Sequence, residues 1–198
     1  MLMFTGIIQQ VGTVASLETV PSGTRLAVDP VGWSMEAAPG DSVAVSGCCL
    51  TVSELAAGLL CFDVIQQTLS VTTLGSLGVG ARVNLEPPVT AASLLSGHVV
   101  QGHVDGVGVV SRADTQAERR LRIEPPAALM ATIVDKGSIA VDGVSLTVAA
   151  LGSTWFEVAL VPTTLERTTL DALRQGDRVN IETDYLVKAV AALMKQRG

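Results

Sequence analysis

The sequence repeats itself at a fixed distance, and this feature limits the possible folds more than any other. The segment SGCCLTV at 46–52 returns as DGVSLTV at 142–148, which is 96 residues further along the chain. The segment GARVNLE at 80–86 returns at the same distance as GDRVNIE at 176–182. An offset shared by separate motifs indicates two copies of one domain. We therefore predict two domains of one fold, followed by a short tail.

Composition excludes several classes of partner. The 198 residues are 48% hydrophobic and 16% charged, so the chain can bury a substantial core. A formal charge of −6 argues against a nucleic-acid partner, because such binding needs clustered Lys and Arg. The chain has no apolar run long enough to span a membrane, and its start, MLMFTGIIQQ, has no basic leader region. We expect a soluble, cytoplasmic protein with no membrane partner.

The cysteines predict free thiols. Cys48, Cys49 and Cys61 make an odd number, and neither a CxxC pair nor a Cys/His ligand spacing occurs. This pattern suits a reducing compartment and disfavours both a disulfide framework and a metal site.

Each copy has the pattern of a β-rich domain. Short segments with many β-branched residues alternate with Gly, Pro and Ser turns. Short helices are expected near 30–38, 90–97 and 125–135. The tail should form a helix after Asp184 as N-cap, with one apolar face that packs either on its own barrel or on sister chains. That face consists of Leu186, Val190, Leu193 and Met194.

The two adjacent cysteines have different predicted surroundings. Successive side chains of a strand point to opposite faces, so Cys48 should face the core and Cys49 the other side. The second copy carries Val144 and Ser145 at these positions. Cys48 is therefore interpreted as a core residue, and Cys49 belongs to a small, polar face that is either simply exposed or binds a ligand.

Both histidines lie where the second copy begins, in SGHVVQGHVDGVG at 96–108. His98 is either a satisfied loop or core residue or part of a site. His103 follows the glycine that opens the repeat, where a strand starts, and is the stronger candidate.

Several ordered motifs resemble the riboflavin synthase family, of the type with tandem lumazine-binding domains. They include MFTGII at 3–8, GHVVQGHVDGVG at 97–108, VNIETDYLVKAV at 179–190 and the two LTV motifs. The resemblance implies an all-β fold of two tandem six-stranded Greek-key β-barrels with short helices and a C-terminal α-helix. The implied domains are an N-terminal barrel at 1–96, a C-terminal barrel at 97–184 and a trimerisation helix at 185–198.

The resemblance also implies a reaction. Two molecules of 6,7-dimethyl-8-ribityllumazine would exchange a four-carbon unit, giving riboflavin and 5-amino-6-ribitylaminouracil, with no metal or other cofactor. The expected assembly is a homotrimer whose active sites form between the N-terminal barrel of one subunit and the C-terminal barrel of another. A base and a small polar or nucleophilic group are needed for this chemistry, and His103 and Cys49 would be the catalytic residues.

The resemblance assigns substrate-binding residues to each barrel. The N-terminal pocket would comprise Gly6, Ile7, Ile8, Cys49, Leu50, Thr51, Asp63, Val64, Ile65, Gln66, Gln67 and Thr68. The C-terminal pocket would comprise Gly102, His103, Val104, Lys136, Ser145, Leu146, Thr147, Ala159, Leu160, Val161, Pro162, Thr163 and Thr164. Gln67 and Ser96 depart from the family pattern, which has Glu and Gly there.

Two other functions are compatible with such a chain. The first is a non-catalytic lumazine- or flavin-binding antenna-type protein of the same fold, but the presence of both Cys49 and His103 favours the enzyme. The second is a flavin reductase barrel, which would need a following nucleotide-binding unit with GxGxxG, and GVGVVS at 106–111 lacks the last glycine.

Overall fold

The chain folds into two closed antiparallel barrels and a terminal helix. A computed structural model describes residues 3–33, 37–114 and 119–195. Each barrel has six strands, in the same cyclic order when the second copy is aligned with the first. The all-β fold class predicted from the sequence is confirmed.

The elements of the two barrels correspond one to one. The first barrel consists of β1 Gln10–Val20, β2 Gly23–Asp29, β3 Ser42–Val45, β4 Cys48–Ala56, β5 Leu59–Ile65 and β6 Arg82–Glu86, with helix α1 Gln66–Val71 and a 3-10 turn Thr73–Ser76 before β6. The second consists of β7 Gly106–Ala113, β8 Arg119–Glu124, β9 Ser138–Val141, β10 Val144–Leu151, β11 Phe156–Leu160 and β12 Arg178–Thr183, with a 3-10 turn Ala127–Thr132 after β8, and helix α2 Pro162–Arg167 and a 3-10 turn Thr169–Asp171 before β12.

Turns and bulges explain the match between the copies. The two-residue hairpin turns Ser46–Gly47 and Asp142–Gly143 have positive φ at both positions, the geometry that matches strand twist. The strand after each turn carries a bulge at the same place, after Val52 in β4 and after Val148 in β10. The same local chemistry therefore sets the same register in both barrels.

Alternation along β4 places the two neighbouring cysteines as predicted. The side chains of Cys48, Leu50 and Val52 are all buried in the first barrel's core. Cys49 is half-buried and Thr51 is exposed. Cys48 and Cys49 are both free thiols.

The tail forms helix α3, Tyr185–Lys195, after the predicted cap. The Asp184 carboxylate accepts a hydrogen bond from the N–H of Leu186 at 2.8 Å. The Nζ of Lys188 lies 2.8 Å from the Asp105 carboxylate, which ties the helix to the second barrel. No helix of the described residues is long and apolar enough to span a membrane.

The other predicted helices fare unevenly. Residues 125–135 contain only the 3-10 turn Ala127–Thr132. Residues 90–97 contain a turn and no helix, so that prediction is wrong. The segment 30–38 is a turn at its start, and residues 34–36 lie outside the described part of the chain.

The barrels meet through residues at equivalent positions of the two copies, which are related by an approximate two-fold axis. Phe4 and Val100 pair as an isolated antiparallel bridge, with N–H to carbonyl distances of 2.7 and 3.1 Å. Gly47 and Gly143 pack backbone to backbone, since a Cβ on Gly47 would lie 2.6 Å from the Gly143 nitrogen. The two hairpin turns therefore approach more closely than any side chain would allow.

Two buried asparagines complete this joint. The Nδ2 of Asn180 in β12 donates to the Ser46 carbonyl at 2.8 Å, and its Oδ1 accepts from the Thr73 N–H at 2.7 Å. The corresponding bonds of Asn84 in β6 run to the Asp142 carbonyl at 2.9 Å and from the Thr169 N–H at 2.8 Å. Each side-chain amide therefore uses both its donor and its acceptor in hydrogen bonds to the opposite barrel.

The joint contains one buried acid without a counterpart in the other copy. Asp142 stands where the first copy has Ser46, and its carboxylate accepts the Asn180 N–H at 2.8 Å. Burial raises the pKa of Asp142 to about 7. Since the unfolded chain releases this proton at lower pH, stability contributed here is lost as pH rises toward 7.

We expect Asp142→Asn to stabilise the protein near neutral pH. Asn tolerates the positive φ of 45° and keeps an acceptor for Asn180 without burying a charge. The gain in free energy of unfolding should be about 1 kcal/mol or more at pH 7 and should shrink toward pH 4. Urea denaturation across this range measures it. The exposed Asp135→Asn is the control, and a gain from Asp142→Asn that is constant with pH would contradict the burial of a charge.

Candidate active site

Each predicted pocket begins with a lead-in segment, residues 4–8 in the first copy and 100–104 in the second, and both segments cross to the opposite barrel. The Gly6 carbonyl accepts the N–H of Ser145 at 2.8 Å, and the Gly102 carbonyl accepts the N–H of Cys49 at 2.8 Å. Both glycines have positive φ. A Cβ on Gly102 would lie 2.5 Å from the Cβ of Cys49, so only glycine permits this approach.

The crossing corrects the predicted grouping of the pocket residues. Gly6, Ile7 and Ile8 were expected beside Cys49, but Ile8 packs into the core of the second barrel. Gly102, His103 and Val104 were expected beside Ser145, but Val104 packs against the core of the first. The repeat shows which residues are equivalent, and it does not show which barrel a lead-in segment joins.

Buried glutamates at the ends of β6 and β12 hold the lead-in segments. The Glu182 carboxylate accepts the N–H groups of Gln101, Gly102 and His103 at 2.7–3.1 Å. Glu86 does the same for the N–H groups of Thr5 and Gly6. Burial raises the pKa of both carboxyls, that of Glu182 to about 7, while the backbone N–H bonds act in the opposite direction.

A cleft in the first barrel brings together most of the residues predicted there. It has a volume of about 310 Å³, within the range of small-molecule sites. Its lining consists of Cys49, Leu50, Thr51, Ser53, Asp63, Val64, Ile65 and Thr68. At its rim the Asp63 carboxylate pairs with the Arg25 guanidinium at 2.9 Å, which lowers the pKa of Asp63. Gln66 and Gln67 start helix α1 beyond this lining.

Neither neighbouring thiol is set up as a thiolate. Burial raises the pKa of Cys48 to about 12. Burial also raises the pKa of Cys49, although a hydrogen bond with Ser42 partly opposes it. At neutral pH the Cys49 thiol is therefore protonated, so it can act as a hydrogen-bond donor or through its shape but not as a ready nucleophile.

The second barrel offers a hydroxyl at the equivalent place, paired with an imidazole. Ser145 lies opposite Ala140 in the β9–β10 pair, as Cys49 lies opposite Ala44 in the β3–β4 pair. The Nδ1 of His98 is 2.7 Å from the Ser145 Oγ. Burial lowers the pKa of His98, while the charge of Asp184 raises it. A neutral imidazole of this kind can exchange a proton with the serine hydroxyl.

His103 is held through its backbone and has an exposed side chain. Its N–H donates to Glu182 at 3.1 Å, and its side chain is exposed on the same lead-in segment that contacts Cys49. The structure thus places the residue before His103 against Cys49, which lines the first barrel's cleft, and it brings His98 to Ser145 in the second barrel.

The remaining predicted residues lie on β10, on the segment that precedes β9, and from the end of β11 onward. Lys136 has a φ of 60° and its Nζ donates to the Ala149 carbonyl on β10 at 2.6 Å, while Ser145, Leu146 and Thr147 lie in β10 itself. The rest lie at the end of β11 and the start of α2, as Ala159, Leu160, Val161, Pro162, Thr163 and Thr164.

Sequence reasoning missed several residues that shape these sites. Ser42, Glu86, Glu182 and Arg25 were not predicted, and the partner of His98 was left open. Glu86 and Glu182 could have been found, because both end a motif that recurs at the repeat distance. The contact of Ser42 with Cys49 depends on the hairpin register and has no sequence signal.

Comparisons with known proteins show which domain the chain carries twice. The family model described as Lumazine binding domain matches twice, at residues 5–87 and 101–184. Riboflavin synthase of Mycobacterium tuberculosis is 45% identical, over 99% of this chain and 100% of that protein. Riboflavin synthase of Escherichia coli is 38% identical, over 95% of this chain and 90% of that protein.

Two solved structures have a fold similar to that of this chain. The crystal structure of LumP complexed with 6,7-dimethyl-8-(1'-D-ribityl) lumazine has a TM-score of 0.83 at 26% identity and covers 91% of this chain and 99% of its own. LumP complexed with riboflavin has a TM-score of 0.84 at 29% identity, with the same coverage of both chains.

The protonated state of the thiols can be tested by alkylation. We expect Cys49 to react slowly with iodoacetamide at pH 7 and faster as the pH rises above 9, since only the thiolate reacts. Cys48 should react more slowly still because it is more deeply buried. Because the two cysteines are adjacent, each is studied in a variant that lacks the other, Cys49→Ser or Cys48→Val. Peptide mapping by mass spectrometry then measures alkylation of the thiol that remains. Rapid reaction of Cys49 at pH 7 would instead indicate a thiolate.

Proposed function

Because this chain belongs to the riboflavin synthase family, whose lumazine-binding domain it carries twice, we propose that it transfers a four-carbon unit between two molecules of 6,7-dimethyl-8-ribityllumazine. The products are riboflavin and 5-amino-6-ribitylaminouracil. The reaction balances without an oxidant or reductant, because the two substrates contain together the same atoms as the two products.

The observation that carries this function is a pair of equivalent sites with different polar side chains. Both copies hold a lead-in segment over the same strand position, yet one presents the Cys49 thiol and the other the Ser145 hydroxyl with His98. Two identical ligands then bind alike and meet different chemistry. This suits a reaction in which one copy of a substrate donates and the other accepts.

The physical demand of the reaction is mainly one of orientation. Two flat heterocycles must stack in opposed directions before a bond forms, and duplicated sites can meet that cost through binding. A ring methyl must then lose a proton, and the acceptor ring must take up a nucleophile. His103 serves as the base beside the first barrel's cleft, where Cys49 donates a hydrogen bond or supplies shape. His98 and Ser145 exchange the proton at the second site.

The substrate-binding residues fall into two composite sites. The first site comprises Cys49, Leu50, Thr51 and the stretch Asp63 to Thr68, with Gly102, His103 and Val104 from the other copy. The second comprises Lys136, Ser145, Leu146, Thr147 and the stretch Ala159 to Thr164, with Gly6, Ile7 and Ile8. The regrouping is supported by the hydrogen bonds Ser145–Gly6 and Cys49–Gly102.

We propose that the protein carries out this function as a homotrimer in the cytoplasm. Helix α3 presents four apolar side chains that are 56–70% exposed, Leu186, Val190, Leu193 and Met194. A contiguous apolar stripe of this kind is typical of a protein interface. Facing a first-barrel site of one subunit with a second-barrel site of the next would bring the two lumazines together.

Conversion of the lumazine by itself tests the function. We expect the purified protein to yield riboflavin and the uracil in equal amounts from 6,7-dimethyl-8-ribityllumazine alone. His103→Gln should lower kcat by roughly a hundredfold or more, because it removes a positioned base. Absorbance and chromatography follow both products.

Cys48→Val is the control for that measurement. It replaces a buried thiol with the residue that the second copy uses, so its kcat should stay within about twofold, as expected for a volume-conserving change. Tight binding of the lumazine without any conversion would instead assign the chain to the non-catalytic, antenna-type binding proteins of the same fold.

Assembly through α3 has its own test. We expect Val190→Asp with Leu193→Asp to give monomers in sedimentation velocity, because buried charges in an apolar interface are strongly unfavourable. Ala192→Asp adds a charge to the same helix away from the stripe and should leave the assembly intact. An unchanged trimer in the double variant would show that α3 is not the assembly element.

A further inference from the structure

The two asparagines of the joint contact the walls of the pockets as well as the joint. Asn180 lies in the second barrel, but both of its side-chain hydrogen bonds go to the first barrel. One reaches the Ser46 carbonyl, in the turn directly before the strand that carries Cys49. The other comes from the Thr73 N–H, directly after helix α1. That strand, β4, and helix α1 both contribute residues to the lining of the first barrel's cleft.

A short series of hydrogen bonds continues from Thr73 to the cleft. The N–H of Leu74 donates to the Thr72 Oγ1 at 3.3 Å, and that hydroxyl donates to the Thr68 carbonyl at 2.8 Å. Thr68 lines the cleft. The position of α1 against the cleft is therefore set from its C-terminal end, where Asn180 holds the backbone.

The same series recurs for the other site. The N–H of Thr169 donates to the Asn84 Oδ1 at 2.8 Å, and the Thr168 hydroxyl donates to the Thr164 carbonyl at 2.7 Å. Asn84 also holds the Asp142 carbonyl, in the turn that precedes Ser145. Every bond of the first series has its counterpart in the second.

We infer that Asn84 and Asn180 are positioning residues that act crosswise, each holding the ligand site of the barrel to which it does not belong. The ligand at those sites is the one given under the proposed function, and the inference rests on that function. A shift of β12 would consequently move two walls of the first site, and a shift of β6 would move two walls of the second.

An amide is the side chain that this role requires. One planar group must donate to a turn carbonyl and accept from a helix-end N–H, both in the buried joint, where Asn84 and Asn180 are 0% and 1% exposed. Aspartate has no donor for the turn and buries a charge, and an apolar side chain leaves two backbone groups unpaired.

The test compares two matched pairs of variants in the full-length chain. Asn180→Ala and Asn84→Ala remove the amides. Thr73→Pro and Thr169→Pro remove the N–H that donates to each amide and leave the amide itself in place. Proline is compatible with both places, because each starts a 3-10 turn and follows an extended residue, Thr72 or Thr168.

Hydrogen exchange with mass spectrometry measures each site separately. Without ligand, Asn180→Ala and Thr73→Pro should speed exchange in residues 66–77, and Asn84→Ala and Thr169→Pro should speed it in 162–173. When the protein is titrated with riboflavin, protection of residues 49–51 from exchange reports binding at the first site. Protection of residues 145–147 reports binding at the second site. Asn180→Ala and Thr73→Pro should each weaken riboflavin binding about tenfold at the first site and change it at the second site by no more than about twofold. Asn84→Ala and Thr169→Pro should have the opposite pattern.

A double variant separates positioning from general damage. Asn180→Ala with Thr73→Pro breaks the same bond from both ends, so its effect on the first site should be smaller than the sum of the single effects. Additive losses, equal weakening at both sites, or weakening by Asn180→Ala of the second site would overturn the inference.

Failure of the proposed function would look different. If the wild-type chain showed no riboflavin protection at either site, the lumazine assignment would fail, while exchange without ligand would still decide whether the asparagines act crosswise. Thermal unfolding of each variant, followed by circular dichroism, confirms that the exchange data come from folded protein.

Discussion

The backbone contact between the two hairpin turns is the interaction on which the arrangement of the two barrels depends. Two hairpin turns meet at Gly47 and Gly143 with no room for a side chain, and Asn84 and Asn180 close the joint from either side. These amides are buried, so each unmade bond would cost about 1–3 kcal/mol. The joint therefore accepts one arrangement of the barrels, and the crossing of the lead-in segments follows from that arrangement.

The crossing makes the last strand of each barrel a support for the other barrel's site. Glu182 and Asn180 of β12 hold the segment beside Cys49 and the end of α1. Glu86 and Asn84 of β6 do the same around Ser145 and α2. Buried carboxylates are expensive unless their oxygens are paired, and here backbone N–H groups provide the pairing.

Sequence alone predicted what depends on local pattern. The repeat gave two domains of one fold, alternation gave opposite surroundings for Cys48 and Cys49, and Asp184 gave the start of the last helix. The barrel to which Ile8 or Val104 contributes could not be predicted, since both placements bury an apolar side chain equally well. The pairing of His98 with Ser145 could not be predicted either, because it depends on where the segment between the barrels passes over β10.

The joint also has the geometry of an isologous dimer interface, in which residue i of one unit contacts j of the other and j contacts i. In a true dimer of single barrels, any substitution would appear at both sites at once. Covalent linkage removes that restriction, and Ser46 has Asp142 as its equivalent here, as Cys49 has Ser145. The tandem chain can therefore break the symmetry of its sites while keeping the symmetry of its frame, which lets a protein treat two identical molecules as different reactants.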